Sequence, residues 1–208
     1  MLINALIESP LLFILLALAL ILSITVHEFA HAYVANKLGD PTAKALGRVT
    51  LNPLAHMDPI GTLLLVFVGF GWGKPVPFDV TFLKNPKRDS ALIAFAGPLS
   101  NFILALIIAF VLNMFKFDLP YLFGLNLIKP VLGYTAYFCF ILGFFNLIPI
   151  YPLDGFRVVY GLLPRNLAIQ WLQMERYGIY LLLILVISGK AGDLLRPLTS
   201  FAAKTLHL

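Results

Sequence analysis

One cysteine, four histidines and three glutamates are all that 208 residues offer of the side chains that most often carry metal or covalent chemistry. The single Cys139 cannot close an intrachain disulfide, and without a Cys-x-x-Cys pair there is no thiolate metal site. It reads as a small packing residue in an apolar run, so any metal must be held by histidine and carboxylate. Charge is equally scarce: Asp, Glu, Lys and Arg make up 12% of the chain against 60% hydrophobic residues, and mean hydropathy is +0.91. That balance excludes an ordinary soluble domain. The net charge of +5 does not point to nucleic acid, because the basic residues form no stripe with interleaved aromatics and lie in loops between apolar segments. Internal repeats and low-complexity tracts are lacking. So are the basic n-region and small-residue cleavage site of a signal peptide, and the first apolar run is therefore expected to be retained.

What the chain has in quantity is apolar sequence of membrane length. Roughly 20 helical residues cross a bilayer, and four segments qualify, at about 10–38, 90–113, 129–148 and 170–188. Gly39-Asp40-Pro41 stops the first. Gly97-Pro98 interrupts the second, where the missing N–H frees backbone carbonyls that need partners inside the protein. Between these spans, residues 60–70 are strongly apolar but too few to cross, which suits a re-entrant segment. Residues 48–51 and 80–82 look like short strands. The expected fold is an all-α polytopic membrane protein of about four transmembrane helices, with a re-entrant and short-strand region over 42–82, built as one membrane-embedded domain over residues 1–208. Ten of the fifteen Lys and Arg lie between spans one and two or between spans three and four, counting Lys37 and Arg176 at the adjoining span ends. By the positive-inside rule those loops face the cytoplasm and both termini lie outside a cell membrane crossed several times.

The first span carries His27-Glu28-Phe29-Ala30-His31. On a helix, His27 and His31 are one turn apart on one face and can bind a single Zn²⁺, with Glu28 placed as general base toward water polarised by the metal. Ionisable groups inside a lipid-length segment are costly, so their presence points to function. A catalytic zinc takes three protein ligands. Asp154, at the end of span three after two helix-breaking prolines, is the best third ligand; a helix cap or a partner for Arg157 is its alternative reading. His27 lies ten residues before Lys37, about 15 Å along a helix, and Asn101 lies eleven residues after Ser90 from the same side, so the groups share a depth. Asn101 and Asn146 suit holding a substrate carbonyl or a developing oxyanion, against interhelical hydrogen bonding. His56 reads as a polar turn residue at the interface, with a place beside the metal or substrate as the alternative. His207 has no case for function.

Three elements, His27-Glu28-Phe29-Ala30-His31, Ala96-Gly97-Pro98-Leu99-Ser100-Asn101 and Asn146-Leu147-Ile148-Pro149-Ile150-Tyr151-Pro152-Leu153-Asp154-Gly155, resemble the signatures of the site-2 protease family of intramembrane zinc metalloproteases. They occur in the family's order and on its spans. Leu51-Asn52-Pro53-Leu54-Ala55-His56-Met57-Asp58-Pro59 and Gly73-Lys74-Pro75-Val76-Pro77 look like its short bacterial or archaeal type, which has no PDZ or CBS module. The resemblance implies hydrolysis of peptide bonds in or near transmembrane segments of other proteins, often membrane-tethered regulators, by one zinc per chain. His27, His31 and Asp154 would be its ligands, Glu28 the base, and a lipid bilayer and transmembrane substrates the partners, with no nucleic acid. Strand-like pieces within 42–82 would pair with an unwound substrate by β-augmentation. The competing classes are a metal-binding membrane transporter, since broken helices and intramembrane acids also mark ion pathways, and a catalytically silent membrane scaffold.

Overall fold

The computed structural model describes residues 6–67, 71–114 and 127–206. The first long helix, α1 (Pro10–Leu38), is apolar around its whole circumference, as a membrane helix is. Ser9 caps it by accepting from the Leu12 N–H, Pro10 sits where a missing N–H costs nothing, and Gly39 ends it at φ +110°. Asp40 follows, fully buried. Its Oδ1 accepts from Thr42 N, which starts the short α2 (Thr42–Ala45), and its Oδ2 accepts from Asp79 N at 2.8 Å. One carboxylate thereby ties the end of α1 to a segment 39 residues further on.

Two more helices have spanning length: α4 (Pro86–Met114) and α5 (Ile128–Asn146). Together with α1 they form the packed centre, and small residues set their approach. Ser23 donates to Ala19 O in its own helix and lies 3.2 Å from Thr135 O on α5, while Cys139 Sγ contacts Ser23 Oγ at 3.4 Å. Cys139 is thus the packing residue expected. Gly143 gives room to the Phe102 ring of α4. Ala105, Ile108, Ala109, Ala136 and Phe140 fill the core between α4 and α5. Without a hydrophobic drive between helices in lipid, such close packing and buried hydrogen bonds are what hold spans together.

The fourth span is broken. After α6 (Asp154–Leu162) and α7 (Arg165–Gln173), α8 (Glu175–Ile187) has only 13 residues. It meets the Lys190–Ala202 part of α9 (Lys190–Leu206) at 69°, across Gly189 at φ +73°. Three helices are therefore long and apolar enough to cross a membrane, or four with the bent pair. The protein is an all-helical, multi-pass membrane protein.

The region between the first two spans departs from expectation. Its apolar run forms α3 (Pro59–Phe67), with residues 68–70 outside the described part. The short strands expected at 48–51 and 80–82 do not form. Val80–Phe82 is a 3₁₀ turn, because the Asp79 carboxylate accepts both Thr81 N and Thr81 Oγ1 and so pulls the chain into a local turn. Those two bonds also hold the exposed Asp79 carboxyl below its ordinary pKa. Near 50, Thr50 and Asn52 side chains likewise bond the backbone two residues on. Among the described residues the strand pairing is a single antiparallel bridge, Met57 to Gly73, reinforced by Lys74 N donating to His56 O at 2.8 Å.

Candidate metal centre

His27 and His31 lie one turn apart near the C-terminal end of α1, both buried, their rings edge to face with centroids 4.6 Å apart. Asp154 comes to them from the first turn of α6. Its position follows from the Leu147–Leu153 turn, closed by Leu153 N donating to Ile150 O at 2.8 Å. Gly155 is required there, since a Cβ would run into the Leu147 carbonyl. The result is that His27 Nε2 lies 3.0 Å and His31 Nε2 3.3 Å from Asp154 Oδ2, and the three ligand atoms are all within 4.8 Å of one another.

These residues fit a zinc ion. A tetrahedral ion with ligands at roughly 2.0–2.1 Å spaces them by about 3.3–3.4 Å, close to the two separations observed. The tautomers agree as well. His31 Nδ1 is 2.7 Å from the Ile93 carbonyl, which only accepts, so Nδ1 carries the hydrogen, and in the neutral ring that binds a metal Nε2 presents its lone pair toward the Asp154 carboxylate. Two lone pairs then face each other, and either a proton or a metal cation between them resolves the contact. Asn101, fully buried on α4, contacts His27 Nδ1 through its amide at 3.2 Å, while its Oδ1 has no partner. Turning the amide over gives Oδ1 a partner: it accepts from Nδ1–H, and His27 Nε2 is left for the metal. Gly97 completes the cradle, because a Cβ would collide with both imidazoles.

Glu28 is adjacent but separate from the ligand group. Its Oε2 is buried without a hydrogen-bond partner, and its Oε1 faces Gly73, whose Cβ would lie 3.7 Å away. Asn146 ends α5 and donates one amide hydrogen to Leu142 O in its own helix. His56 is not drawn into the ligand group. It is fully buried, Nε2 meets Thr50 O at 2.8 Å, and Nδ1 meets Arg48 Nη2 at 3.4 Å.

Arg48 is the residue that sequence reasoning missed, having counted it only as a cytoplasmic charge. It is 4% exposed and its guanidinium donates to Lys74 O at 2.5 Å and Pro75 O at 3.1 Å. Burial pushes it down from its usual pKa, and the nearby Glu28 carboxylate acts the other way. The signal available in the sequence was Pro75 and Pro77, two residues without N–H groups in a segment that forms no ladder and whose carbonyls needed a donor from elsewhere.

The model of peptidase family M50 matches residues 15–128. YwhC of Bacillus subtilis, which carries a provisional zinc-metalloprotease name, is 40% identical over 190 residues, covering 88% of this chain and 84% of its own. MJ0392 of Methanocaldococcus jannaschii, named a zinc metalloprotease, is 29% identical over 154 residues, 73% of this chain and 35% of its own. No solved structure matches.

Proposed function

The chain belongs to peptidase family M50 and is a membrane metalloprotease, and from that premise we propose that it cuts peptide bonds in or near the transmembrane segments of other membrane proteins. The observation that carries this reading is the convergence of His27 and His31, on a helix long and apolar enough to cross a membrane, with Asp154, beside a partnerless carboxylate oxygen of Glu28. Zinc held by those three ligands would supply a Lewis acid that polarises the scissile carbonyl and makes water acidic enough to lose a proton near neutral pH.

The chain's own groups do the rest. Glu28 takes the proton from the attacking water and returns it to the leaving amine. Asp154 and the two imidazoles fix the geometry, Asn101 orients the His27 ring from behind, and Asn146 has a second amide hydrogen to offer a substrate carbonyl. The packed α1–α4–α5 centre keeps bulk water from the site. A transmembrane helix hides its carbonyls in i to i−4 hydrogen bonds, so the substrate must unwind locally before attack. The active site opens to the cytoplasmic side and the termini lie outside, in keeping with the distribution of Lys and Arg. The physiological substrates would be single-span or multi-span proteins of the same bilayer.

The test uses purified full-length protein with bound zinc, in bilayer discs, and a single-span substrate. Cleavage by the wild type, lost with Glu28→Gln at unchanged zinc content, is expected. Metal-loaded wild type that transports ions and cuts nothing would overturn the reading.

A further inference from the structure

Below Glu28, on the same face of α1, a cavity of about 50 Å³ opens between this helix and the Met57–Gly73 bridge. Its helix wall is Ala17, Leu20, Ile21, Ile24 and Thr25; within it Ala17, Ile21 and Ile24 are spaced four and three residues apart, and the next residue of that stripe is Glu28 itself. The opposite wall is Met57, Trp72 and Gly73. Gly73 joins the cavity to the reactive carboxylate: a Cβ there would meet Ile24 Cγ2 at 3.0 Å and lie 3.7 Å from Glu28 Oε1. A side chain one residue from a bond attacked beside Glu28 reaches this space.

The lining also states what it accepts. Four side chains carry N–H or O–H groups, and three are already committed: Thr25 Oγ1 to Ile21 O at 2.7 Å, Thr62 Oγ1 to Asp58 O at 2.7 Å, and both His56 ring nitrogens to Thr50 and Arg48; the fourth, Trp72, brings a single indole N–H. A polar or charged group entering here would lose water and find at most one donor, the Trp72 indole N–H, in return. At roughly 10–15 Å³ for each water-sized group, the space takes about three or four heavy atoms. We infer that this cavity is the pocket for a branched aliphatic side chain, valine- or leucine-sized, next to the scissile bond of the substrate, so that Ile21, Ile24 and Met57 set a sequence preference at one position. This inference rests on the protease reading above.

The experiment uses the full-length zinc-loaded protein and one single-span substrate whose residues on each side of the cut are varied through Gly, Ala, Val, Leu, Phe, Trp and Asn. At one of those positions kcat/KM should peak at Val or Leu and fall about tenfold or more at Gly, Asn and Trp, as a misfit in an apolar pocket does. Ile21→Ala should move the optimum toward Phe, and Ala17→Leu toward Ala. Because activity alone conflates binding with chemistry, the same substrates are titrated against the uncleaving Glu28→Gln protein, where affinity should follow the same order and shift with the same two pocket changes. Zinc content of each variant confirms that it folds. If wild type cuts the series but neither profile moves with Ile21→Ala or Ala17→Leu, the cavity holds a lipid chain or nothing, and the pocket inference fails while the protease reading stands. If zinc-loaded wild type cuts and binds no member, the protease reading itself fails.

Discussion

His31 Nδ1 lies 2.7 Å from the carbonyl oxygen of Ile93, across the packed faces of α1 and α4. That contact turns the ring so that Nε2 points at Asp154, and it depends on α4 passing close to the two histidines. Gly97, one turn beyond Ile93, makes the approach possible.

Gly97→Ala should therefore damage the metal site more than its single methyl suggests. The added carbon meets both imidazoles on rigid, helix-borne positions, so the helices must part or the rings must turn. Zinc content of the purified variant, measured by elemental analysis, should fall well below one per chain. Gly192→Ala, in α9 with nothing within 4 Å of the added carbon, should retain the wild-type content.

Glu28→Gln tests the chemistry without the metal. The amide keeps the shape of the side chain but cannot accept a proton, while the three ligand atoms stay as they are. Cleavage should slow by about a hundredfold or more, within the range that general acid–base catalysis supplies, at unchanged zinc content. A variant within a few fold of wild type would remove Glu28 from its role.

Asn101 gives a graded prediction, because it touches the His27 ring on the side away from Asp154 and is not itself one of the three grouped residues. Asn101→Ala should weaken zinc about 10- to 100-fold, the usual cost of losing the group that orients a ligating histidine. Asn101→Asp, which still accepts from His27 Nδ1–H, should recover most of the loss. Chelator competition measures both.

The sequence made the candidate metal-binding group and the three long spans legible for a simple physical reason: they are periodic or costly. His27 and His31 are one helical turn apart, and Asp154 is an acid where acids are expensive, so each announces itself locally. Within 42–82, residues 48–51 and 80–82 were read as short strands because Val49, Val80 and Phe82 have β-prone side chains, whereas the outcome is decided by short polar neighbours. Asp79 captures the Thr81 N–H and Asp40 captures the Asp79 N–H. Arg48 was invisible for a different reason. Its partners, the carbonyls of Lys74 and Pro75, lie 26 and 27 residues away, and nothing in a side-chain pattern marks which backbone groups will lack donors.

Arg48→Lys should loosen the segment that passes Glu28. One ammonium on a flexible stem cannot span two carbonyls and His56 Nδ1 as the planar guanidinium does. Amide exchange of peptides covering residues 72–78 should speed up, the Lys74 N–H most of all because its acceptor is His56 O, with zinc content unchanged. Exchange at the wild-type rate would show that the buried guanidinium is not what holds the segment.

Val80→Pro separates a turn from a strand. In an edge strand facing a substrate, proline at 80 would remove a pairing N–H and slow cleavage. Here Val80 opens a 3₁₀ turn, the position where a missing N–H is tolerated and where φ is typically about −50 to −70°, the range that proline adopts. Asp79, the preceding residue, is extended at φ −111° and ψ 115°, within the range a following proline allows. The capping bonds run to Thr81 N and Oγ1, so they survive the substitution. Val80→Pro should accordingly keep its zinc, its thermal midpoint within a few degrees and its cleavage rate within about twofold. A slowing of about tenfold at full zinc content would mean that residues 80–82 straighten to pair with substrate.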